Sequence, residues 1–72
     1  MTLDQVRKGQ VVRIVGMPNE IFRVRAIRFG ISEGSVVLCR EVVPAGPVVV
    51  SLNRQEIAIG RSLARIIFVE PC

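Results

Sequence analysis

A small all-β barrel of about five strands, punctuated by short helical turns, is the fold predicted by this 72-residue sequence. Three observations lead there. Short runs rich in valine and isoleucine recur along the chain, each bounded by glycine, proline or asparagine, as strands joined by hairpins are. Only one segment, 20–29, is long enough and periodic enough to be a helix of more than a turn. The length allows one domain, residues 1–72, and a chain this short buries only about 60% of its unfolded surface. Closing the sheet into a barrel would remove its exposed edges.

The elements follow in order. Thr2, Leu3, Asp4 and Gln5 have the spacing of a capping box, so the chain opens on a helical turn closed by Gly9. QVVRIV at 10–15 is the first strand, with Val12 and Ile14 on one face and Val11, Arg13 and Val15 on the other. Residues 16–19, GMPN, form a loop. EIFRVRAIRF at 20–29 fits two descriptions. Phe22, Ala26 and Phe29 recur at i, i+4, i+7, as on a helix capped by Asn19, while Phe22, Val24 and Ala26 alternate with arginines as on a strand. Gly30, placed where a helix needs a left-handed C′ residue, favours the helix, and Gly34 then admits the turn into the next strand.

SVVLCREVV at 35–43, VVVSL at 48–52 and EIAI at 56–59 read as three further strands, joined by turns at Pro44-Ala45-Gly46-Pro47 and at NRQE, 53–56. GRSLA at 60–64 has room for one helical or 3₁₀ turn before a last strand over RIIFVE, 65–70. A one-turn helix just ahead of the final strand is a feature of SH3-like barrels. The expected interior comprises Leu3, Val12, Ile14, Ile27, Phe29, Val37, Cys39, Val48, Val50, Ile57, Ile59, Ala64, Ile67 and Val69.

The side-chain chemistry narrows function by what is missing. The sequence has no histidine, so the Ser-His and Cys-His nucleophile pairs and the commonest metal ligand are unavailable. Its six carboxylates are dispersed, its two cysteines stand 33 positions apart, and no glycine-rich phosphate cradle occurs. These features predict no catalytic residues, no cofactor and no dedicated metal site. One possible cysteine pair argues against a disulfide scaffold, Cys39 reading as a small core residue and Cys72 as a frayed end. The opening residues lack the apolar stretch of a secretory signal, and the apolar runs are far shorter than the roughly 20 residues that span a bilayer, so the expected location is the cytoplasm.

Nine arginines and one lysine against six acids give a net charge of +4. An acidic protein partner, nucleic acid and an anionic surface are all compatible with that sign, as is a merely solvated surface. The arginines are scattered, and only three phenylalanines could stack bases, so single-strand binding is poorly supported.

The order of motifs now carries a resemblance. Leu3 to Gly9 opens the chain, RAIRFGISEG closes its helix, GPVVV begins a hairpin strand, IAIGR follows, and Ala64 precedes a strand containing Ile67 and Val69. In this order and spacing they resemble the FeoA family, ferrous iron transport protein A, over nearly the whole chain. Ala26 stands where the family usually has leucine, Glu33 where it often has proline, Gly60 where it often has arginine, and the AGP turn lacks the family's common aspartate. The resemblance implies an SH3-like domain that serves as an adaptor of the FeoB-type ferrous iron permease, with kinship to the SH3-like domains of metal-dependent regulators. A nucleic-acid-associated or regulator-type interaction domain is the alternative.

The partner surface is expected on the arginines. With Phe22, Ala26 and Phe29 inward, Arg25 and Arg28 share the outer side of the helix, and Arg61 and Arg65 bracket the second helical turn. Together they could grip carboxylates through bidentate pairing, or they could be no more than solvated charges. On the functional reading, reversing the charge of Arg25 and Arg61 should weaken association and leave the melting temperature nearly unchanged. The hairpin tip at Pro44, Gly46 and Pro47 is the second candidate surface.

Overall fold

The computed structural model describes all 72 residues, within extents of 26 × 24 × 20 Å. A 3₁₀ turn at Leu3–Gln5 leads into β1 (Val11–Gly16), α1 (Glu20–Arg28), β2 (Val36–Val42), β3 (Val48–Leu52), β4 (Gln55–Ile59), α2 (Arg61–Ala64) and β5 (Phe68–Pro71). The strands form one antiparallel sheet in the order β4-β3-β2-β1-β5. The sheet curls into the small SH3-like form without closing, so the expected removal of both edges is not achieved. Two register shifts provide the curl, one between Ile14 and Gly16 against β5 and one between Cys39 and Glu41 against β3. An extra residue on one strand bends it and sharpens its twist.

Strand parity follows the sequence pattern. Val12 and Ile14, Val37 and Cys39, and Val48 and Val50 point into a core of fifteen buried residues, all of them apolar. Ile59, Ala64, Ile67 and Val69 complete its far side, and Leu3 is sealed under the opening turn. In that turn the expected capping box between Thr2 and Gln5 forms, with the Thr2 amide donating to the Gln5 side chain at 2.9 Å, and the Thr2 hydroxyl also bonds to Asp4.

Ile27 and Phe29 depart from the expected interior, since both are exposed, and Ile57 is only half-buried. Val6, Met17, Ala26 and Ile31 are buried in addition. The reason lies at the two ends of α1. Asn19 caps its start, its side chain accepting from the Phe22 amide at 2.9 Å. At its end Gly30 takes φ +84°, its amide donates to Ile27 at 3.0 Å, and the Ile31 amide donates to Ala26 at 3.0 Å. That is a Schellman motif, which brings the residue after the glycine against the last turn, and Ile31 is buried with Ala26 for that reason. Gly34, at φ +94°, makes the second left-handed step into β2.

Cys39 and Cys72 are both free thiols, one buried and one exposed. Burial pushes the Cys39 thiol above its ordinary value of 9.0, and the backbone of Glu41 offsets part of that rise. A thiol that ionises less readily folded than unfolded contributes stability that is complete below pH 9 and is lost as pH rises through the folded value. Urea midpoints measured across that range should therefore fall for the native chain, more steeply than for Cys39→Ala. Iodoacetamide at neutral pH should modify Cys72 and spare Cys39 until the domain unfolds.

Candidate docking site

Helix α1 carries apolar side chains on several sides, interleaved with Glu20, Arg23, Arg25 and Arg28. Ile21, Val24 and Ile27 are 71%, 62% and 60% exposed, and Phe29 just beyond the helix is 55% exposed. Of its apolar side chains the domain covers only Ala26 fully and Phe22 in part. Here a small alanine brings the backbone close to the core, and the larger side chains are left outside.

Between α1 and the β4–α2 corner runs a groove of about 360 Å³. Ile21, Phe22 and Phe29 form one wall, Ile57 and Leu63 belong to the other, and Ala58 lies at the edge of β4. Arg25 is the single charged residue lining it. Arg25 and Arg28 are exposed and neither has an ion-pair partner. The neighbouring arginine is occupied otherwise: Arg23 lies 3.7 Å from both Glu20 and Glu33. Arg13–Glu70 at 3.2 Å and Arg40–Glu56 at 3.7 Å are likewise surface pairs. Pairs this exposed contribute about 0–1 kcal/mol each.

Arg61 is not part of this surface. Its Nε donates to the Gly46 carbonyl at 3.0 Å, one terminal nitrogen to Val43 at 2.6 Å and the other to Asp4 at 3.5 Å. The side chain is half-buried and clamps the Val43–Pro47 turn against α2 and the opening 3₁₀ turn. A charge-reversed Arg61 would face three carbonyl oxygens, so the expectation of an unchanged melting temperature does not survive this geometry. Arg65 is exposed at the end of α2 and carries no ion pair. At the hairpin tip Pro44 is exposed and Pro47 half-buried, while Gly46 is hemmed in, since a Cβ there would come within 2.8 Å of Val43. The tip is thus a braced turn, held from behind by Arg61.

Sequence periodicity missed the extent of the apolar face, because with six apolar residues in ten any helical stripe can be drawn. The usable signal was Gly30 followed by Ile31, which fixes the buried side through Ala26. No three His, Cys, Asp or Glu side chains come together as a metal-binding group. No helix is long and apolar enough to cross a membrane.

The FeoA domain family model matches residues 1–71. The chain belongs to the FeoA family. That family is associated with ferrous iron transport. Among solved structures, the crystal structure of an iron uptake regulatory protein (FeoA) superposes with a TM-score of 0.89 at 23% identity, over 100% of this chain and 97% of the other. A FeoA-like protein from Clostridium acetobutylicum gives 0.82 at 23% identity, over 99% and 85%. FeoA from Chlorobium tepidum gives 0.86 at 22% identity, over 99% and 70%. At these identities the likeness establishes a shared FeoA fold. Among curated proteins no match to the sequence is found.

Proposed function

We propose that this FeoA-family domain is a cytoplasmic, non-catalytic adaptor that docks on the cytosolic part of a FeoB-type ferrous iron permease. The observation that carries the reading is the uncovered apolar face of α1, with Arg25 and Arg28 unpaired beside it. Apolar anchors ringed by cations suit a protein surface that is itself apolar and acidic, where arginine adds bidentate geometry to charge. A solvated helix would have no need of three large aliphatic side chains in water. Iron, in this role, is the permease's cargo and makes no demand on ligands in this chain. Nucleic acid is not the expected partner.

Arg25→Glu with Arg28→Glu should leave the melting temperature within a few degrees of native. Both arginines are exposed and unpaired, and such surface changes alter stability by about 0.5 kcal/mol or less. The same double variant should weaken binding to the isolated cytosolic domain of the permease by at least about tenfold in calorimetry. Native-strength binding by the variant would remove this face from the interface. Salt-sensitive binding to duplex DNA at physiological ionic strength would instead favour a nucleic-acid-associated domain.

A further inference from the structure

The sheet has two edges, and the chain treats them differently. Along β5 the N-terminal segment acts as a cover: the Val69 amide donates to Met1 at 2.8 Å, the Leu3 amide donates to Ile67 at 2.9 Å, and Thr2 bridges Phe68. Nothing in the chain lies against the outer edge of β4 as a strand. The turn between β3 and β4 is the two-residue Asn53-Arg54, with φ of 50° and 66°, so Leu52 and Gln55 form a hydrogen-bonded pair. Pairs in an antiparallel ladder alternate, so Val50–Ile57 and Val48–Ile59 are bonded pairs too. Glu56 and Ala58 therefore turn their amides and carbonyls away from β3, out of the sheet. Proteins commonly blunt such an edge with proline, charged side chains or a bulge; QEIAI has no proline and no bulge, and its one charge, Glu56, lies 3.7 Å from Arg40.

We propose that the β4 edge and the groove beside it take up an extended peptide as a sixth strand, one whose side chains are apolar with flanking carboxylates. The backbone of such a peptide would pair with Glu56 and Ala58. Its side chains on one face would enter the groove between Ile21, Phe22, Phe29 and Leu63, and a neighbouring carboxylate would meet Arg25. Strand addition of this kind draws affinity from main-chain bonds and specificity from pockets for alternate side chains. The charge argues for an acidic ligand, since Arg25 is the only charged residue in the groove and the chain as a whole carries +4. It argues against a second copy, because pairing β4 with β4 would bring two unpaired Arg25 side chains toward one another. The inference rests on the reading of this domain as a docking module and names the form of its ligand.

The test is a titration of the ¹⁵N-labelled full chain with the capped peptide Glu-Val-Glu-Val-Glu-Val. Its Lys-Val counterpart and a copy N-methylated at alternate residues serve as controls. Expected are shifts confined to β4, α1 and α2, slowed solvent exchange of the Glu56 and Ala58 amides, and no binding by either control. Ala58→Pro removes one outward amide and leaves the β3 ladder intact, and should weaken binding about tenfold. Arg25→Glu should exchange the preference from the acidic to the basic peptide.

The proposal is overturned if the edge amides do not respond at millimolar peptide, or if the N-methylated copy binds as well as the parent. It is equally overturned if sedimentation shows the edge occupied by a second copy, or if the face binds phosphatidylglycerol vesicles and no peptide. Because the probes are model peptides, failure of the permease fragment to bind would leave this result standing. Failure here would leave a helix-only contact with the permease intact.

Discussion

Ile67→Ala should lower the unfolding free energy by about 2–5 kcal/mol and leave the domain largely unfolded at 25 °C. Ile67 is fully buried, and its carbonyl receives the Leu3 amide, so the lost side chain sits where the opening turn meets the last strand. The removed methyl groups cost their transfer free energy, and the surrounding valines and Leu3 cannot collapse into the gap without pulling strands apart. Domains of this size hold only roughly 3–5 kcal/mol in net stability. One truncation is therefore comparable to the whole. Urea unfolding followed by far-ultraviolet circular dichroism reads the effect directly. A variant with a native midpoint would mean that the core near Ile67 is looser than its complete burial implies.

Arg61→Ala should cost about 2–3 kcal/mol, which in a domain of this length lowers the melting temperature by roughly 10–20 °C. The guanidinium serves three backbone carbonyls drawn from two places in the chain, Asp4 in the opening turn and Val43 and Gly46 in the hairpin turn. Hydrogen bonds to a charged donor are stronger than neutral ones, and the planar fork meets all three oxygens at once. Lysine carries the charge without the fork, so Arg61→Lys should recover only part of the loss. Amide exchange separates this bracing role from a general destabilisation. The Gly46 amide, bonded to Val43 at 2.9 Å, should lose protection in Arg61→Ala before the strand amides do. Equal loss everywhere would argue that the clamp has no local function.

Much of this architecture could be read from residue order, and the physical reason is alternation. Val48, Val50, Val37, Cys39, Val12 and Ile14 lie on strands whose neighbours on the other face are partly polar, and period two leaves one inward choice. The helix was harder. Ile21, Phe22, Val24, Ala26, Ile27 and Phe29 satisfy several stripes at once, and the turn at Gly30, which folds Ile31 back onto Ala26, selected the smallest of them. Met17 and Ile31 stand in the connections on either side, and periodicity has no purchase on residues outside an element. Arg61 escaped for another reason. Whether an arginine serves solvent, a carboxylate or a backbone carbonyl depends on which turn folds over it, and that turn lies 15 to 18 residues earlier in the chain.

The position of β1 between β2 and β5 also sets an order of events in time. β2, β3 and β4 follow one another through short turns and can assemble by local contacts, with β1 joining across α1. The other side of β1 must wait for Phe68–Pro71, with Arg13 facing Glu70 across 57 positions of sequence. Loop closure over that distance is the slow part of building such a sheet. On a ribosome, the first strand made would be the last to be completed, and a nascent chain stalled before Phe68 would present the inner edge of β1 to whatever is nearby.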